Sequence, residues 1–72
     1  MEKNYHIVIG SPLDYEELVA YININGQYVA LLNQDEGKDK IKVEFFNEPI
    51  TKPLYLNVFY EALQEAHKEL LK

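Results

Sequence analysis

The alternation of apolar and polar residues predicts two strands joined by a tight turn. Segments 18–24 and 27–34 flank Asn25-Gly26, the pair that best tolerates the positive φ angles of a type I′ turn. A two-residue turn fixes the register of both strands. Counting outward from the turn predicts these pairs: Ile24 with Gln27, Asn23 with Tyr28, Ile22 with Val29, Tyr21 with Ala30, Ala20 with Leu31, and Val19 with Leu32.

Side chains that alternate along a strand divide this hairpin into two faces. The face expected to form the core is almost wholly apolar and carries Leu18, Ala20, Ile22, Ile24, Val29 and Leu31. The opposite face carries Val19, Tyr21, Tyr28, Ala30 and Leu32. This opposite face is more apolar than is usual for a sheet face exposed only to water, so we treat it as a candidate interaction surface.

Two further strands are predicted on either side of the hairpin. Tyr5–Ile9 is rich in β-branched residues and stops at a glycine. Segment 40–45 alternates, with Ile41, Val43 and Phe45 inward and Phe46 on the outer face. Between these strands, Ser11-Pro12 fits one helical turn, and a plain acidic loop fits equally well. A charged turn with a glycine follows at 35–39, and the proline-containing segment 47–53 is expected to be irregular.

The period of the pattern changes from two to about 3.6 near Leu54, which predicts a C-terminal helix. We expect Asn57 to cap it and residues 58–71 to form it. Its apolar stripe consists of Phe59, Ala62, Leu63, Ala66 and Leu70. The chain is therefore expected to be one α+β domain over residues 1–72, an antiparallel β-sheet of about four strands covered on one face by a C-terminal α-helix.

Composition and charge narrow the classes of function. The net charge is −5, and the 7 basic residues are all lysines. Because nucleic-acid binding generally needs a basic face and favours arginine, we expect no direct nucleic-acid partner. No cysteine, signal peptide or apolar run long enough for a bilayer is present, so a cytoplasmic protein without a membrane partner is expected.

The residues that could support catalysis do not form a recognisable constellation. His6 and His67 lie far apart in the pattern, and Ser11 and Thr51 sit in no nucleophile motif. The three glycines are too far apart for a phosphate loop. We therefore expect no enzyme active site, no metal site and no cofactor.

An acidic surface with exposed tyrosines is typical of a protein that binds a basic protein. Acidic side chains speed encounter with a basic partner, and tyrosine offers a large contact area with a polar tip. Of the 6 tyrosines, Tyr5 and Tyr55 are expected at core margins, whereas two lie on the outer hairpin face. The predicted partner-binding residues are Asp14, Glu16, Glu17, Tyr21, Tyr28, Asp35, Glu36 and Glu44.

Most of the chain also resembles a known family. The stretches 15–22 and 26–37, the strand end at 43–46 and the final helix from Leu56 to Ala66 are similar to small acidic immunity proteins of bacterial polymorphic toxin systems. Such proteins bind a cognate toxin and block its active site or an adjacent surface. The resemblance implies an inhibitor that acts by stoichiometric binding, and it transfers no site residue.

Two other functions fit the sequence. One is an anti-defence inhibitor from a phage or mobile element, whose acidic groups mimic nucleic-acid phosphates. The other is a structural domain whose apolar outer face packs against its own copy in a homodimer. Gene neighbourhood distinguishes the first alternative, and light scattering distinguishes the second.

Overall fold

The computed structural model describes residues 4–46 and 53–72. They form strands β1 (Tyr5–Gly10), β2 (Val19–Ile24), β3 (Gln27–Asn33) and β4 (Lys42–Phe45), followed by helix α1 (Leu56–Leu70). The strands make one antiparallel sheet in the order β1-β2-β3-β4, and α1 packs on one side of it. The predicted α+β class is confirmed. No helix in the described ranges is long and apolar enough to cross a membrane.

The turn between β2 and β3 has the predicted geometry. The φ angle is 55° at Asn25 and 83° at Gly26, so both central residues lie in the left-handed region. These are the angles that a type I′ turn needs, and they match the right-handed twist of the flanking strands. The first two predicted pairs, Ile24 with Gln27 and Asn23 with Tyr28, are confirmed.

The remaining four predicted pairs of the hairpin are wrong by one residue. A register shift between Ile22 and Asn23 leaves Val29 as an extra residue on β3, which is a β-bulge. Beyond it the pairs are Ile22 with Ala30, Tyr21 with Leu31, Ala20 with Leu32, and Val19 with Asn33. The physical reason is the unbroken apolar run of residues 29–32, which contains no polar side chain to hold the simple register.

The bulge changes which residues lie on each face. Ala30 and Leu32 join the core beneath the helix, whereas Leu31 moves to the outer face. Leu18 precedes β2 and is 45% exposed, so its assignment to the core was wrong. The helix-side core is formed by Tyr5, Ala20, Ile22, Ile24, Val29, Ala30, Leu32, Ala62, Ala66 and Leu70.

Helix α1 begins earlier than the sequence pattern predicted. Its N-cap is Tyr55, which makes no side-chain cap hydrogen bond, and Asn57 lies within the first turn. The backbone N–H of Phe59 donates to the carbonyl of Tyr55 at 3.0 Å, which closes that turn ahead of the predicted cap. The predicted apolar stripe is confirmed, with Ala62 and Ala66 fully buried against the sheet.

The helix covers only part of its side of the sheet. It lies over β1 and β2 and, within the described part of the chain, does not contact β4. Val43 and Phe45 point to the helix side, opposite Leu32 and Ala30, but they are 43% and 66% exposed. Their orientation was predicted correctly, and their burial was not, because α1 leaves this edge of the sheet open.

The connecting segments follow the predicted pattern in part. Residues 11–18 contain no helix, which favours the loop alternative, and within this loop the N–H of Tyr15 closes one turn by bonding to the carbonyl of Pro12. Gly37 has a φ of 105° in the charged turn after β3. Tyr5 is buried as expected, whereas Tyr55 is 77% exposed. The predicted irregular segment 47–53 lies outside the described residues except for Pro53.

Candidate functional site

The face of the sheet opposite α1, called here the outer face, is built from three rows of facing residues. The row nearest the hairpin turn contains His6, Asn23 and Tyr28. The next row contains Val8, Tyr21, Leu31 and Glu44. The row farthest from the turn contains Gly10, Val19, Asn33 and Lys42.

Three rings gather on the outer face and form what we call the aromatic patch: Tyr21, Tyr28 and Phe46. Tyr21 stacks on Phe46 with a centroid distance of 6.4 Å and an interplanar angle of 5°. Tyr28 meets both rings edge-on, at 6.1 Å from Tyr21 and 6.4 Å from Phe46. Tyr28 is 50% exposed and Phe46 is 37% exposed, so the rings fix one another while keeping a solvent-facing surface.

Gly10 makes room for the aromatic patch. A Cβ atom on Gly10 would lie 3.0 Å from Cε2 of Tyr21, closer than side chains normally approach. The first strand was predicted to stop at this glycine, and it does so with Gly10 included as the last residue of β1. Its lack of a side chain allows the Tyr21 ring to lie across the strand.

A polar cluster of Tyr15, Asn33 and Glu44 occupies the part of the outer face away from the hairpin turn. The hydroxyl of Tyr15 donates to Oε2 of Glu44 at 2.7 Å, and Nδ2 of Asn33 donates to the same oxygen. Asn33 is only 5% exposed, so this bond satisfies a buried amide. The cluster attaches the loop of residues 11–18 to β3 and β4.

The bond to Glu44 changes the ionisation of Tyr15. It raises the pKa of the Tyr15 hydroxyl from 10.0 to about 12, with smaller contributions from desolvation and from the charge of the Glu44 carboxylate. A hydroxyl that donates to a carboxylate releases its proton reluctantly, because the phenolate would lose the bond and face a like charge. Tyr15 therefore keeps its proton to a higher pH than an ordinary tyrosine, and its bond to Glu44 holds the loop in place.

Asp35 attaches the same loop at a second point. Its carboxylate accepts hydrogen bonds from the backbone N–H groups of Glu16 at 3.4 Å and Glu17 at 3.0 Å. Beneath the loop, Val19 is fully buried and Leu31 is 6% exposed, although both lie on the outer face. The outer face thus has a covered half under the loop and an open half at the aromatic patch.

The predicted partner-binding residues divide into two groups. Glu44 and Asp35 bond within the chain, and Glu36 forms an ion pair with Lys42, which raises the pKa of that amine. The other predicted residues offer side chains to a partner: Asp14, Glu16 and Glu17 are exposed in the loop, while Tyr21 and Tyr28 belong to the aromatic patch.

One buried acceptor lies beside the aromatic patch. Oδ1 of Asn23 is buried and accepts no hydrogen bond from the described residues. Asn23 faces Tyr28 across the strands, at the position where the register shifts. Bulges often re-aim side chains near functional sites, and this one coincides with the open half of the outer face.

The sequence did not indicate Tyr15 and Asn33 as part of this surface. Tyr15 is 29 residues from Glu44, and a loop tyrosine gives no signal of its distant partner. The available signal for Asn33 is its position directly after the four apolar residues 29–32. Within the described ranges, no group of three or more His, Asp or Glu side chains is placed to hold a metal ion.

Comparison with known proteins yields no relative for this chain. No protein-family model matches it, and no curated protein or solved structure matches it. No residue role is therefore transferred from another protein, and the resemblance to immunity proteins stays a prediction.

Proposed function

We propose that this chain is a small acidic inhibitor that binds a basic protein through its outer face. In its most concrete form it is a cytoplasmic immunity protein that neutralises a cognate bacterial toxin by stoichiometric binding. The observation that carries the proposal is the aromatic patch, which is open to solvent on a face whose other half is covered by the loop of residues 11–18.

The aromatic patch has the properties of an interface anchor. Its rings contact one another before any partner arrives, so little side-chain freedom is lost on binding. Tyrosine and phenylalanine are enriched in interface cores, and tyrosine is frequent among the residues that dominate binding energy.

The charge of the chain supports a basic partner. The net charge of −5 is accompanied by exposed Asp14, Glu16 and Glu17 in the loop that borders the outer face. Such groups mainly increase the rate of encounter and disfavour acidic partners. Glu44 and Asp35 act in this proposal as the residues that hold the loop in position.

A homodimer is the second candidate, and the exposed apolar area favours it. Val8, Tyr28 and Phe46 are 43%, 50% and 37% exposed on one face, and two copies could cover them against each other. The repulsion between two chains of charge −5 opposes this arrangement. A dimer in light scattering that disappears in Tyr28→Ala would favour self-association over inhibition.

The experiment is a pull-down followed by calorimetric titration against toxin domains encoded beside the gene. The wild-type chain should bind one such domain with one-to-one stoichiometry and suppress its toxicity. Tyr28→Ala should lose the interaction, whereas Tyr60→Ala should keep it, because Tyr60 is a similarly exposed tyrosine on α1. Failure of every neighbouring domain to bind would refute the immunity function.

A further inference from the structure

The three rings of the aromatic patch are spaced so that one small group can contact all of them. Tyr21 and Phe46 are parallel to within 5°, and the Tyr28 ring stands at 73° to both. The centroid distances of 6.1 Å, 6.4 Å and 6.4 Å make a nearly equilateral triangle. A cation over the centre of this triangle can therefore lie within about 6 Å of all three centroids, which is the range of cation–π attraction.

The aromatic patch keeps this spacing without a ligand and remains open to one. The Tyr21 ring lies across Gly10, where a Cβ atom would come within 3.0 Å of it, and it stacks on Phe46 from the other side of β3. Tyr28 is 50% exposed and Phe46 is 37% exposed, so solvent reaches the rings. A set of rings that is arranged in advance loses little freedom when a ligand binds.

The charge next to the aromatic patch is negative. Glu44 precedes Phe46 by two residues on the same side of the sheet, which places its carboxylate at the border of the rings. Its hydrogen-bond donors are a phenol and an amide, and these neutral groups leave the negative charge in place. Lys42, on the same face, is paired with Glu36 instead. A cation over the rings is therefore favoured by the charge around it as well as by the rings.

We propose that the aromatic patch binds the guanidinium group of an arginine in the partner protein. This proposal rests on the proposed function and adds the chemistry of the side chain that the partner contributes. A guanidinium is planar, stacks on aromatic rings and is less strongly hydrated than the ammonium group of lysine. Arginine is also frequent among the residues that dominate the binding energy of protein interfaces.

The composition favours a different protein over a second copy as the source of this group. All 7 basic residues of the chain are lysines, so a second copy has no guanidinium to offer. Each copy also carries a net charge of −5, and this charge repels another copy while it attracts a basic protein. The same site on a homodimer would have to accept a lysine or an apolar side chain.

The test is a nuclear magnetic resonance titration of the isotope-labelled full chain with capped Gly-Gly-X-Gly-Gly peptides. X is arginine, lysine, leucine or citrulline, the neutral analogue of arginine with the same shape. The arginine peptide should shift the ring signals of Tyr21, Tyr28 and Phe46 at millimolar concentration, and its own δ-methylene signal should move upfield because ring currents shield groups over ring faces. The other three peptides should bind at least about threefold more weakly, because leucine and citrulline lack the charge and lysine lacks the planar group.

Variants of single rings locate the binding site. Tyr28→Leu and Phe46→Leu each remove one ring but keep an apolar side chain, and each should weaken binding of the arginine peptide at least about threefold. Each of these two variants provides the test if the other does not fold, which circular dichroism checks. Tyr28→Phe keeps the ring and should bind like the wild type. Tyr60→Leu is the matched control, because Tyr60 is 59% exposed on α1, and it should also bind like the wild type.

Two outcomes would overturn the proposal. The first is binding of the lysine, leucine or citrulline peptide as tightly as the arginine peptide. The second is an arginine peptide that leaves the ring signals unchanged or binds equally well to both single-ring variants. The peptides test the arginine site without a toxin domain. Binding of the arginine peptide without any neighbouring toxin domain would refute the proposed function alone, whereas a toxin domain that needs Tyr28 in a chain that ignores the arginine peptide would refute this proposal alone.

Discussion

The two faces of the sheet are closed by different means. The helix side is closed by apolar contact, in which the alanines of α1 let the helix approach Ile22 and Ala20 closely. The outer side is half closed by a loop that is held by hydrogen bonds of Tyr15, Asp35 and Glu44, and half open at the aromatic patch. The difference indicates that the helix side contributes most to the stability of the fold, and it is the reason that we propose the outer side as the surface that binds a partner.

The largest stability effect is expected on the helix side. Ile22 is fully buried beneath α1, so Ile22→Ala should cost about 2–5 kcal/mol of unfolding free energy. A core of this size supplies about 3–5 kcal/mol in total, so the variant should be largely unfolded at room temperature. Urea denaturation followed by circular dichroism measures the free energy of unfolding. A loss below about 1 kcal/mol would contradict the claim that the helix side contributes most to stability.

A smaller loss is expected when the polar cluster on the outer side is broken. Glu44→Ala should cost about 1–3 kcal/mol, because the buried amide of Asn33 would lose its acceptor. Glu36→Ala is the matched control, since its ion pair with Lys42 is exposed and should contribute about 0–1 kcal/mol. Equal effects of the two substitutions in thermal denaturation would show that the polar cluster does not hold the loop.

The polar cluster should also make the free energy of unfolding depend on pH in the alkaline range. Tyr15 has an ordinary pKa of 10.0 when unfolded and about 12 when folded, so folding favours its protonated form. The stabilisation is fully present below about pH 10 and is lost as the pH rises towards 12. Ultraviolet titration of tyrosinate should show a late-ionising component in the wild-type chain that is missing from Tyr15→Phe. An unchanged titration curve would mean that the bond to Glu44 is absent in solution.

The smallest stability effect is expected at Gly10. An alanine there should change the unfolding free energy by less than about 1 kcal/mol, because reduced freedom of the unfolded chain offsets displacement of the Tyr21 ring. Its effect on the aromatic patch should be larger, since the new Cβ pushes Tyr21 away from its stack with Phe46. Nuclear Overhauser contacts between these rings should weaken in Gly10→Ala, and unchanged contacts would show that Gly10 does not position Tyr21.

The elements of this fold were predictable where local chemistry determines them. Asn25-Gly26 encodes its own turn, and the spacing of Ala62, Ala66 and Leu70 identifies the buried side of α1. The bulge at Val29 was not predictable, because an uninterrupted apolar run is compatible with either register. As a result, Leu31 lies on the outer face and Leu32 lies on the helix side, the reverse of what pairing residues outward from the turn predicts.

The candidate site was predictable to a lesser degree. Tyr21, Tyr28 and Phe46 were expected on the outer face and lie there, with Tyr21 on β2, Tyr28 on β3 and Phe46 directly after β4. The internal roles of Glu44 and Asp35 depend on contacts between residues that are distant in sequence. The sequence alone does not distinguish a carboxylate that bonds within its own chain from one that is exposed to a partner.

Calorimetric titration of wild-type, Tyr28→Ala and Tyr60→Ala chains against any toxin domain encoded beside the gene tests the central claim most directly. We predict one-to-one binding by the wild type, a loss of about 30-fold or more in Tyr28→Ala, and a loss of less than about threefold in Tyr60→Ala. All three chains should unfold at similar temperatures, because Tyr28 is 50% exposed and Tyr60 is 59% exposed. Equal affinities of the two variants, or binding by none of the three chains, would contradict the assignment of the outer face to a partner.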